Sequence, residues 1–477
     1  MHRADFLRAA GLFFLVFVFG FSPVSSRDRS SVKTPSPSPV GTELTDTCLI
    51  TSTDKTGDIS LLTDSDPSTA WQSESGSLVI SSQTPVCYLY LEYFSVPDRT
   101  YEISGGLTGG DTPFLSEVVT LPSPQKTVTL SAAGVGGGVT VLRVFGEGDL
   151  PADVPVWEKT PDKAALMLLA AHPDDDLLWF GGTLPYYSGV QKLNTAVVYL
   201  TSPSRRRMSE ALYGLWTAGV KQYPVFGNFP DKFRRRKQSE LNIWGESDVN
   251  AFLTEQLRRY KPDVVLTHSP DGEYGHAAHK VAAASLMTCL HSAEDASFFP
   301  ASADAYGLWT PKKVYLHAYG ENPVKMNWDI PLASFGGKTG FEMANEAFAC
   351  HVTQQTGRHL LRHDGKTGCT EFGLYLTKVG KDVYGNDFFE NIPITPDMRR
   401  EVLTEAVPSV PFGVEGSPVV LVVPQDEPLP AGWDGETMIF DRDDPFPFYI
   451  PFLLLLASAP FGWALLFVRK RRKNGNS

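Results

Sequence analysis

The chain is poor in cysteine. It has five in 477 residues, Cys48, Cys87, Cys289, Cys350 and Cys369. No two of them have the spacing of a zinc knuckle, which excludes a cysteine-built zinc module. The odd count leaves at least one thiol unpaired within the chain. Cys48–Cys87 and Cys350–Cys369 are both conceivable pairs, and sequence does not fix the connectivity. An N-x-Ser/Thr sequon is also missing, so glycosylation says nothing about compartment. Positive charge is in deficit: 42 Lys and Arg stand against 54 Asp and Glu, a formal net charge of -12. A nucleic-acid binder or a protein of anionic surfaces would need a basic face, so those classes are set aside. What remains is ordinary globular composition, 42% hydrophobic and 20% charged, in a chain long enough for more than one core.

Both ends are apolar, and they differ in kind. Arg3 and Arg8 precede the run Gly11 to Phe21, and small residues follow at Val24-Ser25-Ser26. A basic start, a short apolar run and small residues read as a secretory signal peptide over 1–26, with an uncleaved anchor as the alternative. Residues 446–468 carry no charge and are long enough to span a bilayer, and Arg469-Lys470-Arg471-Arg472-Lys473 follows at once. The basic cluster predicts a cytoplasmic tail over 469–477, with everything before the span extracellular or lumenal. A core helix at the chain end would leave that basic stop unexplained.

Between the ends, 27–47 is rich in Ser, Pro and charge and reads as a linker. Residues 48–150 read as an all-β sandwich, with short β-rich runs such as Cys87 to Leu91 and Val139 to Phe145 separated by Gly, Pro, Asp and Ser. Here the segment Leu62 to Trp71 and the strand ending in Phe145-Gly146 resemble a discoidin-like domain. That resemblance implies loops that bind carbohydrate or membrane surfaces. The other reading is a sandwich that spaces or packs on its neighbour, with Trp71 in its core. Residues 155–395 alternate strand and helix: strands at Ala164 to Ala170, Thr195 to Leu200 and Asp263 to His268, helices at Arg206 to Ala218, Ser247 to Arg259 and Val281 to Leu290. This order predicts α/β architecture, a Rossmann-like parallel sheet with helices on both faces. Residues 396–445, rich in Pro and Asp, read as a stalk or small β extension.

The chemistry lies in two segments. Ala171-His172-Pro173-Asp174-Asp175-Asp176 ends the first buried strand, and Tyr274-Gly275-His276-Ala277-Ala278-His279 follows the third. Ligands of an open parallel sheet gather at the carboxyl ends of its strands, so topology brings both segments to one rim. His172 and Asp175 share a face if a helix begins there, and both can grip one ion while Asp174 points elsewhere. His276 and His279 have the same spacing, so one can bind metal while the other faces substrate. Two imidazoles and a carboxylate leave an open position on zinc. Taken singly, an Asp cluster at a helix start is also a common cap, and a histidine pair is also a surface accident.

These residues resemble the PIG-L/LmbE-like N-deacetylases, marked by Ala-His-Pro-Asp-Asp-Glu and a later His-x-x-His. The likeness runs through 164–290, includes Arg207 and Glu210 in an Arg-x-x-Glu pattern, and reaches toward Phe348 to His351 and Glu371 to Tyr375. It implies removal of N-acetyl groups from glucosamine-type sugars with zinc, Zn(2+), as cofactor. By position it implies His172, Asp175 and His279 as metal ligands and Asp174 as the proton-transfer base. It implies His276 and Tyr274 as helpers at the scissile amide. Arg207 is expected to meet substrate or to pair with Glu210 or other nearby acids. Two departures stand out: Asp176 replaces the family's Glu, and Ala278 replaces an Asp found in many members, which removes a partner for the ligand histidine.

The basic runs Arg205 to Arg207 and Arg234 to Lys237 read as solvated faces, and His317, His359 and His363 as structural or exposed. Gly134 to Gly138 lies among β-rich runs and reads as a loop. The expectation is therefore an exported, single-pass membrane-anchored zinc de-N-acetylase, whose substrate is an N-acetylated amino-sugar glycan or glycoconjugate, polymeric or lipid-linked. No nucleic-acid partner is expected, and oligomeric state stays open. The alternatives are a decayed glycan-binding surface protein and a zinc hydrolase of another N-acyl group.

Overall fold

The computed structural model describes residues 40–53, 57–131, 136–357, 359–365 and 367–400, which belong to one compact unit. The expected signal peptide, the membrane span at 446–468 and the basic tail lie outside these residues, as do most of the linker and the stalk. Among the described residues no helix is long and apolar enough to cross a membrane.

The first part is an antiparallel sheet of six strands: β1 (Leu49–Ser52), β2 (Leu78–Tyr93), β3 (Tyr101–Ile103), β4 (Leu107–Gly109), β5 (Ser116–Ser131) and β6 (Val139–Phe145). Two separate sheets were expected. Instead β2 and β5, 16 residues each, run through the bend and belong to both halves. The β2–β5 register slips between Ser81 and Tyr88, and such irregularities let a long strand turn. Before the slip β2 takes β1 on its other edge, and after it β6. One core forms inside, with Leu62, Ile80, Leu89, Leu130 and Val144 fully buried. Trp71 belongs to that core at 1% exposure. Residues 40–47, expected within the linker, lie against this sheet. Leu44 is buried, and Glu43 pairs with Arg143 of β6 at 2.8 Å.

The second part is a seven-stranded sheet. Its strands are β7 (Leu166–Ala170), β8 (Thr195–Ser202), β9 (Val225–Pro230), β10 (Val264–Thr267), β11 (Lys313–His317), β12 (Pro323–Lys325) and β13 (Glu371–Thr377), in the order β12-β13-β11-β10-β7-β8-β9. The five strands from β11 to β9 are parallel, as expected. The edge departs from the expected parallel sheet, since β13 runs antiparallel to both β11 and β12. The helices are α1 (Asp175–Leu178), α2 (Arg205–Thr217), α3 (Lys237–Trp244), α4 (Glu246–Tyr260), α5 (Ala277–Glu294), α6 (Pro300–Tyr306) and α7 (Gly340–Ala349).

Alternation along the strands builds two cores. Leu166, Leu168 and Ala170 face one side with Val197 and Leu266, under Leu212 and Leu215 of α2 and Phe348 of α7. Met167 and Leu169 face the other with Val198 and Val265, under Leu253 and Leu257 of α4 and Val281 and Leu286 of α5. A strand covered on both faces must be apolar throughout, which is why β7 reads as an unbroken hydrophobic run. Chain order reverses between β7 and β10, so the crevice at their carboxyl ends is the switch point where ligands of such sheets bind. Residues 396–400, expected to open the stalk, stay on this body, with Met398 buried and Arg399 donating to the Gln191 carbonyl at 2.6 Å.

All five cysteines are free thiols, so neither conceivable disulfide is present. Cys350 meets Thr217 on α2 at 3.6 Å, whereas Cys369 is packed beside Gly181 in the apolar core.

The two sheets meet at α2. Glu92 of β2 is buried against Arg205 at 3.2 Å, with Tyr90 donating to it at 2.8 Å and Ser209 at 3.3 Å. Arg205 also donates to the Tyr93 carbonyl at 2.8 Å. Nearby, Phe114 stacks on Tyr223 and Trp216 donates to the Ala152 carbonyl at 2.7 Å. The α/β body is thus packed onto the β-rich part through a desolvated ion pair. Removing one partner of such a pair strands a buried charge. Glu92→Ala should cost about 3–5 kcal/mol of stability, read by urea unfolding.

Candidate metal and catalytic site

Three neighbouring strands deliver a histidine to the same rim. His172 follows β7, His268 follows β10, and His317 is the last residue of β11. The loop after β10 and the first turn of α5 add Glu273, Tyr274, His276 and His279. Nearly all of this is buried: His279, His268 and His317 at 0%, Asp175 at 1%, and His172, Asp174 and His276 at 5–6%.

The geometry at the floor is that of a donor cluster. His172 Nδ1 lies 2.9 Å from Asp175 Oδ2. His279 Nε2 lies 3.3 Å from Asp175 Oδ1 and 3.3 Å from His172 Nδ1. Donors held about 2.0–2.1 Å from a tetrahedral zinc stand about 3.3 Å from each other, so these spacings fit that ion. Two groups of residues bring potential ligand atoms together, His172/His276/His279 and Asp175/His268/His279. His268 Nε2 accepts the Ala171 N–H at 2.9 Å and its Nδ1 faces Glu273 at 2.7 Å, so both of its nitrogens are engaged. His276 Nδ1 accepts the Ala278 N–H at 3.2 Å, as the cap of α5. His172, Asp175 and His279, the expected ligands, are brought together here, and His276 and His268 offer further donor atoms beside them.

The short helix α1 explains how the first segment works. Asp175 opens it and turns its carboxylate back to accept the His172 N–H at 2.8 Å and the Trp179 indole N–H at 2.8 Å. Asp174 sits just before it at φ 107°, a conformation that costs a non-glycine residue on the order of 1–3 kcal/mol. Its backbone N–H donates to Asp176 Oδ1 at 3.1 Å. Asp176 therefore retains a supporting role although it is a methylene shorter than the family residue.

Electrostatics separates the three acids. The imidazoles of His279, His172 and His268 gathered around it outweigh burial and hold Asp175 well below the usual carboxylate range. Burial and the neighbouring Asp175 charge push Asp174 well above it, against the opposing pull of Arg207 and His172. Burial raises Asp176 to about 7. Burial, with the neighbouring His172 and His279, drives His276 down, so it is neutral. Perturbed acids and bases gathered in one crevice are what acid–base chemistry needs.

Tyr274 is half-buried at φ 43°, its ring against Trp179 and His279 at 5.4 and 5.5 Å between centroids. Burial and the charges of Asp175 and Asp174 keep its hydroxyl protonated. Arg207 reaches the site, and it pairs there with nearby acids rather than with Glu210. It donates to Asp231 at 2.5 Å and to the Pro173 carbonyl at 2.8 Å, and lies 3.5 Å from Asp174. Glu210 instead holds the Thr353 N–H at 2.9 Å.

Four residues of this site were not singled out by the sequence reading, or were set aside as structural: Glu273, Asp231, His268 and His317. Asp231 Oδ1 stands 3.6 Å from His172 Nε2. The only local signal for Glu273 was an acid directly preceding the Tyr274 motif. His359 lies near the Tyr274 ring, and His363 pairs with Asp329 and Asp364 away from the cluster.

Residues 167–290 match the family described as PIG-L: GlcNAc-PI de-N-acetylase. Among curated relatives, 1D-myo-inositol 2-acetamido-2-deoxy-alpha-D-glucopyranoside deacetylase 2 of Saccharopolyspora erythraea is 26% identical over 209 residues, 38% of this chain and 73% of the relative. The deacetylase of the same substrate from Rhodococcus erythropolis is 24% identical over 184 residues, 33% of this chain and 61% of the relative. Among solved structures, N,N'-diacetylchitobiose deacetylase from Pyrococcus horikoshii aligns at 20% identity and a TM-score of 0.31, covering 40% of this chain and 71% of that one. The central α/β part thus carries a PIG-L domain. With its buried His/Asp set the chain is a metal-dependent hydrolase, and zinc is its metal.

Metal-free protein should bind one zinc ion per chain. At a hundredfold excess over Kd this should stabilise the fold by about 2.7 kcal/mol, read by thermal unfolding. His279→Ala should lose both the binding and the stabilisation.

Proposed function

We propose that the protein hydrolyses the N-acetyl amide of a GlcNAc-type amino sugar, in a glycan or glycoconjugate, outside the cell or in a lumen and on a membrane anchor. The observation that carries the chemistry is the pairing of three buried donors, His172, Asp175 and His279, with a carboxyl, Asp174, that is kept out of their set and raised in pKa. The deacetylases among the relatives support the substrate class. The uncharged stretch 446–468, the basic residues after it and the N-terminal apolar run support the anchor and the export.

Zinc held by His172, Asp175 and His279 would supply Lewis acidity, polarising an acyl oxygen and making water more acidic. The remaining work falls to the protein. Asp174 takes a proton from the attacking water as the new carbon–oxygen bond forms. It gives that proton to the amine nitrogen as the carbon–nitrogen bond breaks, leaving acetate and the free amine. Arg207, clamped between Asp231 and Pro173, positions Asp174 and limits the rise in its pKa. His276 uses Nδ1 as the cap of α5, so Nε2 bears the hydrogen and can donate to the oxyanion. Tyr274, protonated, supplies a second donor from the same loop. The crevice wall at Phe233, whose ring meets His276 at 4.8 Å and is 39% exposed, gives the sugar an apolar face to lie on.

Asp174→Asn should keep zinc binding and lower acetate release from N-acetylglucosamine conjugates by about 10²–10⁴-fold. Activity at the unmodified level would show that another group moves the proton. Screening acetate release over a panel of N-acyl sugars tests the acetyl preference directly.

A further inference from the structure

Glu273 is surrounded by donors. Its Oε2 lies 2.7 Å from His268 Nδ1 and 2.7 Å from His279 Nδ1. Its Oε1 lies 2.6 Å from His317 Nδ1 and accepts the Ser269 N–H at 3.0 Å. The carboxylate is 1% exposed. Each contact fixes a different part of the site. Binding His279 through Nδ1 directs the lone pair of Nε2 at Asp175 and His172. Binding His268 through Nδ1 leaves its Nε2 to accept the Ala171 N–H, which seats the backbone one residue before His172. His317 spans from Glu273 to the Gly368 carbonyl at 2.7 Å, so this ring ties the loop to the far side of the crevice. The loop that carries Glu273 needs such holding, because Gly272, Tyr274 and Gly275 all have positive φ.

We infer that Glu273 is the positioning carboxylate of the metal site, setting the tautomer and orientation of His279. A ligand histidine ordinarily gives its second N–H to a carboxylate, a carbonyl or water, and loss of that partner weakens metal binding about 10–100-fold. Glu273 provides this partner from the preceding loop, and it joins His279 to two further histidines. This rests on the zinc-hydrolase reading of the site but not on the identity of the acyl substrate.

The test reads zinc affinity by chelator competition, without substrate, so failed deacetylation leaves it unaffected. Glu273→Gln keeps the size of the side chain. In either orientation of the amide, its NH2 opposes two donors, His268 and His279 or His317 and Ser269. Zinc binding should weaken about 10–100-fold. Glu273→Asp retains the charge at shorter reach; it should fold and show a smaller loss, and it carries the test if the Gln variant does not fold. Unchanged affinity in the folded variants would overturn the assignment.

Discussion

Burying a charged carboxylate or imidazolium alone is costly. Taking an ion out of water costs several kcal/mol, and only close partners offset it. The rim of this sheet buries histidines and acids together, and their alternation is the constraint on which the site depends. Glu273, His279, Asp175, His172 and Asp231 follow one another as acid, imidazole, acid, imidazole, acid, each next to the last at 2.7–3.6 Å. His268 and His317 attach to the same chain through Glu273. The arrangement needs strands that end side by side, which the parallel order β11-β10-β7 supplies. Asp174 and Asp176 stand outside the alternation; both are raised in pKa, and Asp174 is the one with a strained backbone.

The parts of the site that are contiguous in sequence were legible there. An unbroken apolar run announced β7, and the His and Asp residues at its end fell where a switch point places ligands. The expected helices at 206–218, 247–259 and 281–290 correspond to α2, α4 and α5, because each shows a helical period against a buried face. What sequence could not show was partnership at a distance. Asp231 lies between β9 and α3 just before a basic run and meets His172 only in the folded chain. His317 reads as a strand end until Glu273 is seen beside it. Arg207 was expected to meet substrate or to pair with Glu210 or other nearby acids, and its ion pair with Asp231 and its bond to Pro173 show which acid it holds. The single bent sheet of the β-rich part was hidden for a related reason. Its long strands contain Pro and Ser stretches that look like breaks but are bends in register.

The β-rich part is more than an attachment to the catalytic body. Consecutive residues at the start of α2 serve both: Arg205 is buried against Glu92 of the first sheet, Arg206 pairs with Asp66 at 2.8 Å, and Arg207 enters the catalytic crevice. One helical turn therefore carries the joint and the residue that steadies Asp174. This gives the first sheet a mechanical part in the site whether or not its loops meet a glycan.

The central claim is that His172, Asp175 and His279 hold the metal. X-ray absorption at the zinc edge of the loaded full chain tests it most directly. The account predicts a first shell of two imidazole nitrogens and oxygen at about 2.0–2.2 Å, without sulfur. It also predicts loss of one imidazole in a His172→Gln sample. A sulfur ligand, an oxygen-only shell, or an unchanged spectrum in that variant would contradict it.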